Sequence, residues 1–407
     1  MNRPILRATV ATLALSVATA AHAQSVKDDM LSLGFELQLR HDSNVANSSD
    51  ERTAQRGLVK AEQVISPAAT IALRRAFGPH SVQLSAYAGY DFHTRNTRLD
   101  SERISLDATG DIKASLCRVS PTISYSRAQS ELGYQLLDPD PTLVVDNTQA
   151  EQTYSANISC GPPVGLRAQG GFGYSRGDNS NPRRQTSDYE TYNYRTGVGY
   201  TQPSIGEISL YVSKQDTTFP NRLFSNGEQD GYSVRRYGAS FARDIGARLS
   251  GSLGYYYIDV DSRAPVSRDF QGSGYNLDLS LVATPRTRLR FNINKDVQTA
   301  LNNDALYTRT GSYGVAADYA VNERLTIDAG YRFENRRYVY SGFLAPVADR
   351  ALLNDKFQTV TANATYRPSQ KLSFTLFGGY ENRNANGTFF DYDGYFVGLT
   401  GRIALVR

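Results

Sequence analysis

Few residues of this chain have the type and spacing that catalysis requires. The sequence holds four histidines, and none of their spacings suits a metal ion. One of them, His93, lies in a serine-rich chain, where a Ser–His pair could form a hydrolase nucleophile. A lone histidine among many serines defines no motif, however. We therefore predict no catalytic residues, no metal site and no cofactor, and we do not expect an enzyme.

The two cysteines, Cys117 and Cys160, suggest a structural role. The N-terminus indicates export, and an exported chain meets an oxidising compartment in which two cysteines can form one disulfide. They lie at the same periplasmic end of two neighbouring predicted strands, each in phase with the outward face of its strand. This placement is compatible with a cross-strand bridge. We predict a disulfide between them; the alternative is two unpaired thiols.

A set of arginines lies close to the predicted periplasmic ends of strands. They could form a positive mouth that attracts an anionic polymer or solute. Alternatively, acidic residues neutralise them across strands. The candidates for this mouth are Arg167, Arg248, Arg288, Arg290 and Arg324. The net charge of +4 is small for this length, and no basic run is present, so we predict no nucleic-acid partner.

The elements that must position these residues are strands. In the segment from Leu31 to Leu39, leucine or phenylalanine alternates with serine, glycine, glutamate or glutamine, and similar segments recur almost to the C-terminus. We count about 18 such segments, separated alternately by tight turns and longer polar loops. The fold class predicted is all-β: a transmembrane antiparallel up-and-down barrel with short periplasmic turns and longer extracellular loops. A barrel of this size should enclose an aqueous lumen rather than a packed core.

The organisation of the chain follows from its N-terminus. Arginines at positions 3 and 7, a short apolar run and Ala21-His22-Ala23 are typical of a secretory signal peptide. We predict that residues 1–23 are removed and that residues 24–407 form a single barrel domain in the outer membrane of a Gram-negative bacterium. A plug would have to be an extracellular loop folded inward. The long and apolar segment 131–149 is the best candidate, and the alternative is a surface loop that packs on itself.

One part of the sequence resembles a known family. The segment Gly34-Phe-Glu-Leu-Gln-Leu-Arg-His-Asp-Ser-Asn-Val45 resembles the first strand of the EpsL-like barrels encoded in exopolysaccharide operons, which ends in D-S-N-V. Val64-Ile-Ser-Pro67 and the hairpin at 78–84 resemble the same family, so the resemblance covers about residues 34–92. It implies passage of secreted polysaccharide through the outer membrane, beside a separate periplasmic polysaccharide-export protein, and it supplies no catalytic residues.

The function predicted first is therefore a conduit for exopolysaccharide export. The alternatives are a general diffusion porin for small solutes and a structural or adhesive surface barrel. The partners expected are outer-membrane lipid, secreted polysaccharide and the periplasmic export protein. A sugar-stacking track would need aromatic side chains on the lumen face, and the weak candidates for it are Tyr87, Tyr211, Tyr256 and Phe377.

Overall fold

The computed structural model describes residues 29–134, 141–264, 268–299, 305–341 and 352–406. The predicted signal peptide lies outside these residues. Within the described residues, eighteen antiparallel strands form one sheet, and β1 pairs with both β2 and β18, which closes the barrel. This confirms the predicted fold class. In the described part of the chain, no helix combines the length and the apolar character that a membrane crossing requires.

The strands follow one another around the wall in sequence order. Their bounds are β1 Met30–Asp42, β2 Glu62–Phe77, β3 His80–His93, β4 Ser101–Ala114, β5 Cys117–Gln129, β6 Thr148–Cys160, β7 Gly165–Asn179, β8 Tyr189–Gln202, β9 Gly206–Leu223, β10 Gln229–Ile245, β11 Leu249–Ser262, β12 Phe270–Thr284, β13 Thr287–Gln298, β14 Tyr307–Ala320, β15 Leu325–Val339, β16 Asn354–Tyr366, β17 Leu372–Ala385 and β18 Tyr392–Val406. A helix, α1 Asp50–Gln55, lies between β1 and β2.

Side-chain alternation divides the wall into a lipid face and a lumen face. In β1, Phe35 is 67 % exposed, whereas Gln38 on the opposite face is 4 % exposed. Because successive side chains of a strand point to opposite faces, the apolar set faces lipid and the polar set faces the interior. The connection between β9 and β10 is short although it lies on the rim of longer loops, since β9 continues to Leu223 and pairs there with Gln229.

The two rims of the barrel differ in the length of their connections. One rim has tight turns, such as the turn at Gly78, whose φ of 61° favours glycine. The other rim carries the longer segments and α1. Short turns mark the periplasmic rim of an outer-membrane barrel, so the longer segments are extracellular. At the periplasmic rim the structure joins Cys117 of β5 to Cys160 of β6, which are direct cross-strand neighbours.

The interior is not entirely aqueous, which corrects the expectation of an unpacked lumen. Apolar side chains form a buried cluster on the lumen side of β8–β11, towards the extracellular rim. The members are Tyr189, Phe219, Tyr232, Val234, Tyr256, Ile258, Val260, Val297, Leu306 and Tyr307. The last three come from the ends of β13 and β14, so a second layer of chain inside the barrel supplies the surface against which the wall packs.

Candidate functional site: the lumen and its constriction

The lumen contains a cavity of about 1480 Å³. Its lining runs from Met30 and Lys371 at the periplasmic rim to Asn47 and Leu132 in the extracellular segments. Lumen-facing side chains of β1–β6 and β11–β18 supply the wall between them. The cavity is therefore a chamber that extends from the periplasmic rim to the constriction at the extracellular side.

Two extracellular segments fold into the barrel and form part of this constriction. We call residues 43–61 loop 1 and residues 130–147 loop 3. Arg52 of α1 donates to the Gly133 carbonyl at 3.0 Å, and Arg383 of β17 donates to the same oxygen at 2.7 Å. Arg56 donates to the Leu132 carbonyl at 2.8 Å. Loop 3 therefore reaches across the lumen to β17, as predicted for the inward-folded alternative, within its described residues.

Burial and like charge shape the electrostatics of loop 1. Burial, together with the nearby guanidinium groups of Arg184 and Arg383, lowers the pKa of Arg56 to about 10. Burial is also the main cause that lowers the pKa of Arg52, followed by the charges of Arg56 and Arg383. With a pKa of about 10, Arg56 remains protonated at neutral pH. Arg52 and Arg56 hold loop carbonyls in place while repelling one another, so loop 1 and loop 3 depend on each other for their positions.

A buried carboxylate anchors the wall beneath this cluster. Asp355 of β16 accepts from Arg336 at 2.8 Å, lies 3.3 Å from Arg383 Nε and accepts from Tyr338 at 3.2 Å. The side chains of Asp355 and Arg383 are fully buried. A buried charge is tolerated only when it is paired and hydrogen-bonded, and this network satisfies that requirement for Asp355.

The second part of the constriction begins where two neighbouring wall strands stop pairing. Pairing between β12 and β13 ends at Tyr275 and Lys295. Yet β12 stays paired with β11 as far as Phe270, and β13 stays paired with β14 as far as Gln298. We call the unpaired stretch, residues 270–274 of β12 opposite residues 296–298 of β13, the seam. At the seam the extracellular ends of β13 and β14 leave the wall.

These strand ends, residues 296–299 and 305–310, form an element that we call the inner hairpin. Arg236 of β10 donates to Asp296 Oδ1 and to the Val297 carbonyl, both at 3.0 Å. Tyr256 of β11 donates to the Lys295 carbonyl at 3.2 Å. Arg236 and Tyr256 lie on the lumen faces of their strands, so the inner hairpin lies inside the barrel. Their side chains bond to the β13 edge that β12 leaves unpaired.

Apolar packing holds the inner hairpin as well. Val297, Leu306 and Tyr307 are at most 3 % exposed. The rings of Tyr307 and Tyr232 have centroids 5.4 Å apart, and Tyr232 shares a 3.0 Å hydroxyl contact with Thr299. By strand alternation Val297 and Tyr307 belong to the lipid-facing set. Because the hairpin has folded inward, that face instead packs on the lumen side of β10 and β11.

The mouth arginines predicted from sequence all lie at the periplasmic rim, in two kinds of surroundings. Arg290 is neutralised by Asp318 at 2.7 Å, and Arg167 donates to the Pro162 carbonyl at 2.9 Å. The other three have exposed side chains and are Arg248, Arg288 and Arg324. The structure therefore places the five at one rim, with Arg167 at the start of β7 and the other four at or beside the starts of β11, β13 and β15.

The aromatic candidates for a sugar track do lie on the lumen side, but they are occupied. The Arg195 guanidinium lies 3.7 Å from the Tyr211 ring centroid, and that of Arg103 lies 5.0 Å from the Tyr87 ring centroid. Tyr256 belongs to the apolar cluster. Phe377 is only 2 % exposed. These rings stack on arginines or pack in cores, so they form no continuous stacking surface.

His93, the histidine considered as part of a Ser–His pair, instead contacts a carboxylate. His93 Nδ1 lies 2.6 Å from Glu62 Oε1, and both side chains are nearly buried at the extracellular ends of β3 and β2. The other Glu62 oxygen accepts from the Asn96 amide at 3.1 Å. Within the described residues, no group of three or more metal-ligating side chains exists. His93 therefore positions the β3–β4 connection.

The residues that shape the constriction were missed in the sequence. Arg236 and Asp296 are ordinary charged residues at alternating positions, and nothing marks them as partners across two strands. Gly133 is one glycine among 33. No local signal marks the inner hairpin, because other strands also carry outward arginines near the extracellular rim, such as Arg176 and Arg235.

Fold and lumen together define the class: the protein is an outer-membrane β-barrel porin with a constricted lumen. A family model with the description "Putative beta-barrel porin 2" matches residues 171–405, more than half of the chain. The chain belongs to this family.

Solved structures similar to this chain include three Pseudomonas proteins. OccK2 (OpdF) of Pseudomonas aeruginosa, solved in complex with glucuronate, is 13 % identical over 93 % of this chain and 98 % of that chain, with a TM-score of 0.47. OpdL of Pseudomonas aeruginosa is 14 % identical over 93 % and 98 %, with a TM-score of 0.45. A BenF-like porin from Pseudomonas fluorescens Pf-5 is 12 % identical over 93 % and 99 %, with a TM-score of 0.47. The comparison with curated proteins gives no match.

Proposed function

We propose that this porin is a passive diffusion channel for small polar solutes, the function that we predicted second from the sequence. The constriction is the observation that carries this proposal. Loop 1, loop 3 and the inner hairpin all occupy the extracellular half of the lumen, and all three are fixed by hydrogen bonds to the wall. A path narrowed in this way favours small solutes over a long polymer.

The charges of the chamber favour solutes without a large net charge. Arg103 lies 3.6 Å from Asp91, and Arg290 lies 2.7 Å from Asp318. At the periplasmic rim, Arg118 is paired with Asp111. Because these cations and anions alternate along the wall, the fields of neighbouring charges largely cancel. Salt screens what remains over roughly 8–10 Å at ordinary ionic strength. Polar solutes would exchange water for wall hydroxyls and amides at little cost.

Proteoliposome swelling tests the proposal. Purified barrel in liposomes should admit monosaccharides readily and disaccharides more slowly, and it should exclude oligosaccharides of five or more units. Liposomes without protein set the background. Equal rates for monosaccharides and long oligosaccharides would contradict the proposed constriction, and no swelling with any sugar would contradict diffusion.

Exopolysaccharide export is the second candidate function, and the sequence resemblance over residues 34–92 favours it. It requires the constriction to move aside, because a long polymer cannot pass the narrowed path. The aromatic side chains of the lumen also offer no continuous track for a sugar polymer. Deletion of the protein in its own bacterium separates the two functions. Loss of secreted polysaccharide with normal solute uptake would favour export, whereas reduced uptake with unchanged secretion would favour diffusion.

A further inference from the structure

We infer that a cationic patch on the outer wall beside the seam binds the phosphorylated headgroup of a glycolipid in the outer leaflet. The patch consists of Lys295, Arg337 and Lys356, and Arg309, at the base of the inner hairpin, borders it on the side of the seam. The inference concerns the lipid-facing surface, so it is independent of what passes through the lumen.

The strand register brings these four residues together. Lys295 and Lys356 lie in one row of cross-strand neighbours, which runs through Gly311 and Asn335. Arg309 and Arg337 are direct neighbours in the row two residues closer to the extracellular rim. Adjacent strands lie about 4.8 Å apart and alternate residues about 6.7 Å apart along a strand, so the patch measures roughly 14 by 7 Å. One phosphorylated headgroup can cover it.

The same face presents these residues to the membrane surface. Lys295 lies opposite Tyr275, which is 39 % exposed, and its Nζ is 5.9 Å from that ring. Lys356 shares its face with the exposed Val360. Exposed tyrosines mark the headgroup level of outer-membrane barrels. The cations therefore stand at the height of lipid headgroups.

The patch lacks the acidic partners that other outward cations have. Arg176 lies 2.8 Å from Asp178. Lys214 lies 2.7 Å from Asp216, and Arg235 lies 3.1 Å from Asp261.

Among the described residues, no carboxylate lies within 4.0 Å of any cation of the patch. Arg309 and Arg337 even face each other across neighbouring strands, and directly opposed like charges destabilise a sheet. An anion that bridges them would remove this repulsion.

The seam shapes the patch further. The Arg309 guanidinium lies 3.7 Å from the ring centroid of Phe270, at the edge of β12 that β13 leaves unpaired. The wall is therefore indented at this point, with cations on one side and an open strand edge on the other. A headgroup that enters the indentation would contact several cations at once, which favours phosphate over a neutral lipid.

The test uses the whole barrel in detergent and measures binding of diphosphorylated lipid A by native mass spectrometry. The patch variant combines Lys295→Gln, Arg337→Gln and Lys356→Gln, which leaves Arg309 on its ring. The matched control combines Arg176→Gln, Lys214→Gln and Arg235→Gln, three cations of the same face that have acidic partners. Heat-modifiable mobility in gel electrophoresis, compared before and after boiling, establishes that both variants are folded.

We expect the patch variant to bind on the order of 100-fold more weakly, since each cation near an anionic lipid contributes about fivefold. The control should bind within about threefold of the wild type. Lipid A without phosphates should bind the wild type as weakly as diphosphorylated lipid A binds the patch variant. Equal losses in both variants, or equal binding of both lipids, would overturn the inference. Full displacement by millimolar inorganic phosphate would show a free-phosphate site instead.

Discussion

We expect Arg236 to be a main determinant of the fraction of time that the inner hairpin spends in the lumen. Its guanidinium donates to the Asp296 carboxylate and to the Val297 carbonyl. The change Arg236→Met removes these bonds, keeps a side chain of similar length and leaves Asp296 without its cation. We expect the inner hairpin to leave the lumen part of the time and the conductance of the channel to rise.

The magnitude follows from burial. The side chains of Arg236 and Asp296 are 12 % and 18 % exposed, so the pair is well shielded from water. Breaking a buried pair by removing one partner costs about 3–5 kcal/mol, and the slight exposure favours the lower end. About 3 kcal/mol raises the ratio of released to held hairpin by roughly 100-fold. Apolar packing of Val297, Leu306 and Tyr307 remains, so the held state should still be populated.

Single-channel recording in planar bilayers measures the effect. The Arg236→Met barrel should show frequent steps to a higher conductance that the wild type rarely visits. Arg235→Met is the matched control, because this neighbour faces outward and pairs with the exposed Asp261. Unchanged conductance and noise in a folded Arg236→Met barrel would refute the argument that these bonds hold the constriction.

A cross-link can identify where the released hairpin goes. Continuing the β12–β13 register beyond Tyr275 and Lys295 places Ser273 opposite Val297. The pair Ser273→Cys and Val297→Cys should therefore oxidise readily in the Arg236→Met background and slowly without it. Equal rates in the two backgrounds would show that the hairpin does not rejoin the wall.

Three further changes test other parts of the structure. A side chain at Gly133 has no room, since its Cβ would lie 2.5 Å from the Asn47 carbonyl, so Gly133→Val should displace loop 3 and increase the swelling rate for disaccharides; an unchanged rate would argue against a plug. Joint replacement of Arg248, Arg288 and Arg324 by glutamate should reduce anion preference in bilayer recordings without unfolding, and an unaltered reversal potential would show that these exposed arginines do not steer ions. The two cysteines should appear as a linked peptide in a non-reduced digest, and their double serine variant should still fold because the β5–β6 ladder already joins these strands; two freely alkylated thiols in native protein would refute the bond.

Most of the fold could be predicted because the bilayer imposes it on local sequence. A charge at mid-membrane on the lipid face costs about 2–4 kcal/mol, so segments such as Leu31–Leu39 must alternate strictly. The count of about 18 strands was found for this reason, whereas the extension of β9 to Leu223 could not be read from the alternation.

The constriction could not be predicted, because it depends on contacts between distant segments. The sequences of residues 270–274 and 296–298 are both compatible with ordinary paired strands. These strands separate only because Arg236, Tyr256 and the apolar cluster bind the β13 side. Arg383 meets Gly133 across 250 positions of sequence. Neither contact leaves a local periodic signal. The inward folding of loop 3 was predicted as one of two alternatives, since composition alone did not choose between them.

The pairing of β1 with β18 has a consequence for how the protein is assembled. Ser32 pairs with Val406, so the ladder that completes the wall joins the first strand made to the last. Until β18 is in place, β1 and β17 each present a row of bare amide and carbonyl groups, and hydrocarbon penalises each such group by several kcal/mol. A partly built wall is therefore excluded from the lipid interior, and insertion must await the final strand. The long sequence separation of β1 and β18 also makes their pairing slow. Until the barrel closes, its apolar outer face therefore needs protection in the periplasm.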